Sequence, residues 1–311
     1  YTFTAADTAY FQGNKGTLTA TAEQTITLNG INDSTGMTLS GGSLLLSGAG
    51  ANITVNGSVM STISSVITGT DGLIKAGTGD LKLAAANTYT GVTLISGGQV
   101  IVDNATALGL STVTVATGGT LNLGGKVITN LVTVSGGTLT GGSIAVDKVV
   151  AKAGTIAATL TGSAAFVKAI AGDVVLSGAN TFTGGATVDA GKVTLGNAAA
   201  LGGAANAVTV GANGTLDVNG QSVAVANLAG SGVVTNASLT AATVTLSGVA
   251  TTSTFAGVLS GNLGVTKVGA GAQTLSGANT FVGNVAVNGG TLVAGSATAL
   301  GAAANLVAVN G

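Results

Sequence analysis

The side chains that could carry acid–base chemistry are few and scattered in this sequence. Its 311 residues include ten carboxylates and nine basic residues, all of them lysines, and no histidine or cysteine. A Ser–His–Asp triad, a thiol nucleophile, a common haem ligand and the usual zinc site are therefore excluded. What remains is the chemistry of glycosidases and polysaccharide lyases, which need several carboxylates, or a carboxylate with a base, converging on one groove. The carboxylates are Asp7, Glu23, Asp33, Asp71, Asp80, Asp103, Asp147, Asp173, Asp189 and Asp217.

Two acid–base pairs are close in sequence. Asp80 stands two residues before Lys82, and Asp147 directly precedes Lys148. We interpret both pairs as solvated surface charge rather than as catalytic groups. Convergence of distant carboxylates stays open at this point, because residues about one coil apart become neighbours in a coiled fold.

A lysine and an acid recur together along the chain. Lys75 and Asp80 return as Lys168 and Asp173, but the third copy has Ala272 where the acid would stand. A catalytic pair that function requires would not be expected to duplicate and then decay. The acids are also too few and too irregularly spaced for a calcium-binding glycine-rich repeat. The sequence therefore predicts no enzymatic activity, no catalytic residue, no cofactor and no metal.

The composition restricts the partners of the chain. Charged residues make up 6% of it, against about 25% in an ordinary globular protein, and the net charge is −1. Without arginine or a lysine cluster, we expect no nucleic-acid binding. A charge near zero gives little repulsion between copies and favours self-association. No apolar run approaches the roughly 18 residues of a spanning helix, so we expect no membrane span in this segment.

Internal repeats are the strongest signal in the sequence. A block of the type Asn-Thr-aromatic stands at residues 87–91, 180–184 and 279–283. An Ala-Leu-Gly motif at 107–109 and the lysine at 75 return with the same two offsets of 93 and 99 residues. The predicted segments are an N-terminal cap or docking segment (1–16), divergent coils (17–71), copy 1 (72–164), copy 2 (165–263) and a partial copy 3 (264–311), all in one continuous solenoid.

Short alternating runs fill the repeats. Residues 25–28, 113–115 and 208–210 alternate β-branched, apolar and polar types, and glycine or asparagine follows many such runs. A β-sandwich would need large aromatic and branched residues inside, whereas a solenoid interior takes stacked Val, Leu, Ile, Ala and Thr, and this chain, with only nine aromatics, has the second composition. We predict an all-β fold, a right-handed parallel β-helix with short turns and no helix longer than one turn. About 20 to 25 residues per coil gives roughly 13 coils and a length near 60 Å.

The repeated block supplies candidate site residues. Its asparagines are predicted to occupy turns, where they would bond to their own backbone and to the equivalent residue of the next coil, and ligand binding is the alternative. Its aromatic residues are predicted to fill the core, and a stacking platform for sugars is the alternative. These residues are Asn87, Asn180 and Asn279, and Tyr89, Phe182 and Phe281.

The two ends suggest a self-association site. The first residues hold four of the nine aromatics outside the repeats, and the last residues form an apolar segment in mid-repeat. The first segment caps its own first coil or, as a hypothesis, adds a strand to the open C-terminal edge of the next molecule and builds a filament. The residues proposed for this contact are Tyr1, Phe3, Tyr10, Phe11, Leu306, Val307 and Val309.

A family resemblance is carried by copy 2. The run Leu-Ser-Gly-Ala-Asn-Thr-Phe-Thr-Gly-Gly at 176–185, followed by 188–193, 200–202 and 214–220, resembles the passenger-associated repeat of Gram-negative autotransporters. The resemblance covers about residues 72–311 and implies a right-handed β-helix outside the cell, used for adhesion, aggregation or as a stalk. Such passengers normally precede a C-terminal membrane barrel. We therefore expect that the rest was removed or that this chain is not barrel-anchored. Because the sequence begins with Tyr1 rather than Met, we also expect that a signal peptide has been cleaved off.

Two functions follow from these observations. The first is a non-enzymatic extracellular structural protein that associates head to tail into a surface fibre or coat. The alternative is an autotransporter passenger, an adhesin or stalk that binds a surface ligand laterally. Ice binding is disfavoured, because pairs such as Thr243 and Thr245 do not recur at one coil spacing.

Overall fold

The computed structural model describes residues 18–20, 25–29, 38–39, 43–46, 51–56, 60–249 and 252–310. The chain forms two compact units, one of residues 1–144 with 148–150 and one of residues 145–147 with 151–311. We call them unit 1 and unit 2.

Unit 1 is built from short strands. They are β1 (Leu18–Ala20), β2 (Thr25–Asn29), β3 (Thr38–Leu39), β4 (Ser43–Leu46), β5 (Ala51–Asn56), β6 (Met60–Ile63), β7 (Val66–Gly69), β8 (Leu73–Ala76), β9 (Asp80–Leu83), β10 (Thr93–Ile95), β11 (Gly98–Val102), β12 (Val113–Ala116), β13 (Gly119–Asn122), β14 (Val127–Ile128) and β15 (Val132–Thr140). The next elements hold residues of both units and are β16 (Ser143–Ala145), a 3₁₀ helix (Val146–Lys148) and β17 (Val149–Ile156).

Unit 2 has the same construction. Its strands are β18 (Thr159–Thr161), β19 (Phe166–Lys168), β20 (Asp173–Leu176), β21 (Ala186–Leu195), β22 (Val208–Asp217), β23 (Val223–Val225), β24 (Leu228–Gly230), β25 (Val233–Asn236), β26 (Ala242–Leu246), β27 (Thr252–Phe255), β28 (Val258–Gly261), β29 (Leu263–Lys267), β30 (Ala272–Leu275), β31 (Val285–Val287), β32 (Thr291–Ala294) and β33 (Val307–Val309).

The strands stack in parallel, one coil on the next. In unit 1, Leu73 of β8 pairs with Thr93 of β10, which pairs with Val113 of β12, so successive partners are 20 residues apart. In unit 2, Phe166 of β19 pairs with Ala186 of β21, which pairs with Val208 of β22. Parallel strands about one coil apart in sequence define a β-solenoid.

Alternation of side chains explains why these runs form strands. In β12, Val113 and Val115 point inward and are buried, while Thr114 faces outward. Stacking places inward residues of successive coils on one another, so leucine, isoleucine and valine build a continuous core within each unit. Burial of this apolar core is the main force that holds the coils together.

The predicted fold class is confirmed. In the residues that the structure describes, both units are all-β and parallel, with about 13 turns and no helix beyond one 3₁₀ turn. The handedness of the winding, the 60 Å length and the predicted segment boundaries stay predictions. Among the described residues, no helix has the length and hydrophobicity to span a bilayer.

Candidate functional site

Three lysines of the repeat point into the solenoid. Lys75, Lys168 and Lys267 lie on β8, β19 and β29, and their exposed fractions are 0%, 0% and 2%. A buried ammonium needs compensating polar partners, because removal from water disfavours the charged form. Each lysine finds these partners in the turn that follows its own strand, and we call this arrangement the lysine corner.

The lysine corner of copy 1 consists of backbone carbonyls around one ammonium. Lys75 Nζ donates hydrogen bonds to Ala76 O at 2.9 Å and to Gly77 O and Gly97 O at 3.0 Å each. Gly97 belongs to the next coil, so the ammonium joins two successive turns. A Cβ at Gly98, whose φ is +59°, would lie 2.9 Å from Nζ, and glycine at that position leaves room for the lysine.

The other two corners repeat this contact. Lys168 Nζ donates to Ile170 O and, at 3.4 Å, to Ala190 O of the next coil. Lys267 Nζ donates to Gly269 O. Each lysine thus donates a hydrogen bond to the carbonyl two residues after it. The ammonium groups bind backbone carbonyls and do not face an open groove.

Burial sets the ionisation of these lysines. It lowers the pKa of Lys75 to about 8, and the carboxylate of Asp80 opposes part of this shift. Burial also lowers the pKa of Lys168, opposed by Asp173, and that of Lys267, where Ala272 replaces the acid. The recurring Lys–Asp pairs of the sequence are therefore pairs between a buried ammonium and an acid on the following strand.

The repeated asparagines bond to the coils on either side. Asn87 Oδ1 accepts a hydrogen bond from Ile67 N at 2.8 Å, and its Nδ2 donates to Ala107 O at 2.6 Å. Residues 67, 87 and 107 lie on three successive coils, so one side chain ties three coils together. Asn180 and Asn279 make the same two bonds at the same distances, to Leu160 N and Ala200 O and to Leu259 N and Ala299 O.

The repeated aromatic side chains face the interior. Tyr89, Phe182 and Phe281 are buried. The Tyr89 hydroxyl is 2.9 Å from Thr93 Oγ1, and burial raises the pKa of the phenol. The Phe182 ring stacks on that of Phe166 at a centroid distance of 6.3 Å. The structure thus places neither the asparagines nor the aromatics on an open surface.

The residues proposed for self-association fall into two groups. Tyr1, Phe3, Tyr10 and Phe11 lie outside the described residues. Leu306, Val307 and Val309 are on or beside β33, which pairs with β31, and their exposed fractions are 69%, 50% and 71%. Because the first group lies outside the described residues, the proposed contact stays a prediction.

A row of polar side chains lies on the outer face of unit 1, and we call it the amide ladder. It consists of Asp80 on β9, Gln99 on β11 and Asn122 on β13, all half-buried. Gln99 Nε2 donates to Asp80 Oδ2 at 3.2 Å, and Asn122 Nδ2 donates to Gln99 Oε1 at 2.7 Å. Three coils are thereby connected through their outward side chains.

An ion pair borders the amide ladder. Lys82 Nζ lies 2.8 Å from Asp103 Oδ2, and the hydrogen bond from Lys82 lowers the pKa of Asp103. Lys126, between β13 and β14, is close enough to contribute to this shift. The face and its border therefore carry two acids and two lysines around the uncharged amides.

Unit 2 has charged residues at the equivalent places, and we call them the ionic ladder. It consists of Asp173, Lys192 and Asp217, with Asp173 and Lys192 paired in register. Lys192 Nζ lies 2.9 Å from Asp217 Oδ2. Asp217 Oδ1 accepts hydrogen bonds from Asn219 N at 3.0 Å and Ala237 N at 3.1 Å. Only 2% of the Asp217 side chain is exposed, so this carboxylate has no free side.

Sequence reasoning missed Gln99, Asn122 and the partners of Asp217. A search for polar residues spaced by one coil, about 20 residues, would have found the signal, because such residues stack on one face. In the described part of the chain, no three acids lie together as a metal site would need.

The family comparison matches the repeat itself. The passenger-associated-transport-repeat family matches residues 73–102, 166–195 and 265–294. The starts of these matches are 93 and 99 residues apart, and each match contains one lysine corner, one bridging asparagine and the buried aromatic residue of the repeated block.

A curated relative agrees with this family. The chain is 40% identical over 135 residues to the adhesin BmaC autotransporter of Brucella suis biovar 1 (strain 1330), a match that covers 43% of the chain and 4% of that protein. The chain thus matches a small part of a much longer relative, and no solved protein structure matches it. The predicted resemblance is confirmed: the chain carries three matches to the passenger-associated-transport repeat and is similar to an autotransporter adhesin, which implies a location outside or on the surface of a Gram-negative cell.

Proposed function

We propose that the chain is a non-enzymatic, ligand-binding β-solenoid segment of an adhesin passenger. The observation that carries this proposal is the 40% identity over 135 residues to an autotransporter adhesin. As an adhesin, the solenoid would supply a rigid outer surface, and the sides of its coils would bind a ligand on another cell.

The contacts of the ionisable groups support a binding role rather than catalysis. The three repeated lysines donate hydrogen bonds to backbone carbonyls. The Asp217 carboxylate accepts hydrogen bonds from two backbone N–H groups and forms an ion pair with Lys192. General acid–base catalysis needs a titratable group within reach of a substrate. These groups face their own backbone, which leaves the outward side chains of the coils to meet a ligand.

Self-association into a fibre or coat has less support. The matched relative is named an adhesin, and four of the seven residues proposed for a head-to-tail contact lie outside the described residues.

Adhesion of coated beads tests the proposal. We expect beads that carry the purified chain to adhere to cell monolayers more often than albumin-coated beads or beads carrying the urea-unfolded chain. Equal adhesion of all three would contradict an adhesin role. Sedimentation of the same chain, with and without residues 1–13, separates the fibre from the adhesin: filaments that form only with residues 1–13 would support the fibre.

A further inference from the structure

We propose that the amide ladder of unit 1 is a binding site for a neutral polysaccharide. This inference rests on the proposed adhesin function and names the ligand class of its surface. The site is formed by Asp80, Gln99 and Asn122, one from each of three successive coils.

The hydrogen bonds within the ladder fix the side chains before a ligand arrives. Each amide uses one of its two N–H donors on the neighbouring coil: Gln99 on Asp80 and Asn122 on Gln99. The remaining N–H of each amide, and the Asp80 oxygen that Gln99 does not contact, keep their bonding capacity. Sugar hydroxyls both donate and accept, so they match a surface that alternates donors and acceptors, and fixed rotamers reduce the entropy lost on binding.

The face continues beyond the ladder with groups that suit a sugar chain. In register, Gln99 pairs with Thr120 and Thr120 with Thr138, so hydroxyls extend the row of Gln99 over the coil of Asn122 and one coil beyond it. Ile101 pairs with Asn122 in the neighbouring row and supplies an apolar contact for the C–H side of a sugar ring. Equivalent positions on adjacent strands are about 4.8 Å apart, so the polar groups repeat regularly along the stack, as an extended polymer requires.

The charge of the face points to a neutral ligand. Lys82 pairs with Asp103, and Asp80 interacts with the buried ammonium of Lys75. With Lys126 at its border included, the outer face has two acids and two lysines around it. Such a surface offers no net attraction to a polyanion, whose binding depends on clustered positive charge.

The ionic ladder of unit 2 provides an internal contrast. Asp217 is almost fully buried, and its oxygens are bonded to Asn219 N, Ala237 N and Lys192. The same backbone position is therefore closed to ligand in unit 2 and open in unit 1. Thr215, which pairs with Lys192 as Thr120 pairs with Gln99, is a matched control residue outside either ladder.

Affinity electrophoresis of the purified chain tests the site. Dextran, laminarin and mannan serve as neutral probes, and alginate and heparin as anionic ones. We expect at least one neutral probe to retard the chain. The double variant Gln99→Ala with Asn122→Ala should bind it about tenfold more weakly, since the lost hydrogen bonds are between uncharged partners. Thr215→Ala should bind like the parent, and matching circular dichroism melts show that the variants are folded.

Three outcomes would overturn this inference. They are retardation by no neutral probe, preference for an anionic probe, and equal binding by the double variant and the parent. If any of them occurs while coated beads still adhere to cells, the ligand class or site is wrong and the adhesin role stands. If the chain binds a neutral probe through the ladder and the beads do not adhere, the adhesin role fails instead.

Discussion

Copies 1 and 2 of the repeat have the same fold around the buried aromatic residue. The polar groups near that residue have different hydrogen-bond partners in the two copies. In copy 1 the Tyr89 hydroxyl is hydrogen-bonded to Thr93 Oγ1, and Thr93 Oγ1 to Ser111 Oγ, at 2.9 Å in both cases. We call these three groups the hydroxyl relay. Ser111 Oγ then donates to Leu108 O at 2.7 Å. Copy 2 has Phe182 and Ala186 in place of the tyrosine and the threonine.

An amide replaces the hydroxyl relay in copy 2. Asn206 Nδ2 donates to Phe182 O and to Leu201 O, both at 2.8 Å. Copy 3 repeats this solution with Asn305, bonded to Phe281 O and Leu300 O at 3.0 Å. The phenol, threonine and serine of copy 1 therefore form a set, because a buried hydroxyl without a partner would be costly.

On the outer face, too, the two copies give equivalent positions different hydrogen-bond partners. The amide ladder of unit 1 is half-buried and keeps free bonding capacity, whereas the ionic ladder of unit 2 ends in a saturated, buried carboxylate. Copies that share a backbone thus differ in what their side chains leave open. Substitutions can test where the copies are equivalent and where they are not.

The largest effect is expected where the copies are identical. Replacement of Asn87 or Asn180 by alanine leaves one buried N–H and one buried C=O without partners. Each change should lower the free energy of unfolding by about 4 kcal/mol, at 1–3 kcal/mol per unsatisfied group plus the cavity. Urea unfolding followed by circular dichroism measures this loss. Asn104→Ala, at an exposed turn of copy 1, is the control, and losses below about 1 kcal/mol for both asparagines would contradict the bridging role.

The two ladders should respond unequally to truncation. Asp217→Ala removes the acceptor of Asn219 N and Ala237 N and leaves Lys192 without its partner, so we expect a loss of about 3 kcal/mol. Asn122→Ala removes a half-exposed amide whose partners can bond to water, and a loss of about 0.5 kcal/mol is expected. Urea unfolding of both variants against the parent checks the difference. Equal losses would mean that the ladders do not differ in burial as the structure has them.

Part of this picture could be predicted from sequence, and the limit has a physical cause. The lysines, asparagines and aromatics were recognisable because they recur at 93 and 99 residues, and the solenoid followed from short alternating runs with small side chains. The ladders were not recognised, because they depend on which residues meet one coil apart, and the coil length varies. Gln273 is an extreme case: its side chain bonds to Leu228 N and O, 45 residues away. These bonds form where strands β24 and β27 pair only through Gly230 and Phe255. The repeats do not predict this interruption of the strand pairing.

Exchange of the aromatic residues should show that the hydroxyl relay belongs to copy 1. Tyr89→Phe removes one hydroxyl from a relay whose other members keep partners, so a loss of about 1 kcal/mol is expected. Phe182→Tyr introduces a buried hydroxyl beside Ala186 and should cost about 2 kcal/mol. Addition of Ala186→Thr to the second variant should recover part of this loss. A double-mutant cycle measured by urea unfolding gives the coupling energy between the two substitutions. A coupling energy of zero would contradict the conclusion that the tyrosine and the threonine depend on each other.

The lysine corners should also make stability depend on pH, and the sign of this dependence is opposite to that of a surface lysine in an ion pair. The pKa of Lys75 is about 8 in the folded chain and 10.5 when it is free of the fold. Between these values the unfolded chain binds more protons than the folded chain, so stability should rise with pH from about 8 upward. Lys168 and Lys267 act in the same direction, since burial lowers both pKa values.

The buried phenol limits the range in which this rise appears. The raised pKa of Tyr89 makes the unfolded phenol ionise first, which lowers stability above about pH 10. Urea midpoints between pH 7 and 10 are therefore the useful measurement. The variant Lys75→Met removes one titrating group and should show a smaller rise than the parent. A midpoint that falls steadily from pH 8 to 10 would mean that the carbonyls of Ala76, Gly77 and Gly97 hold the ammonium charged against its burial.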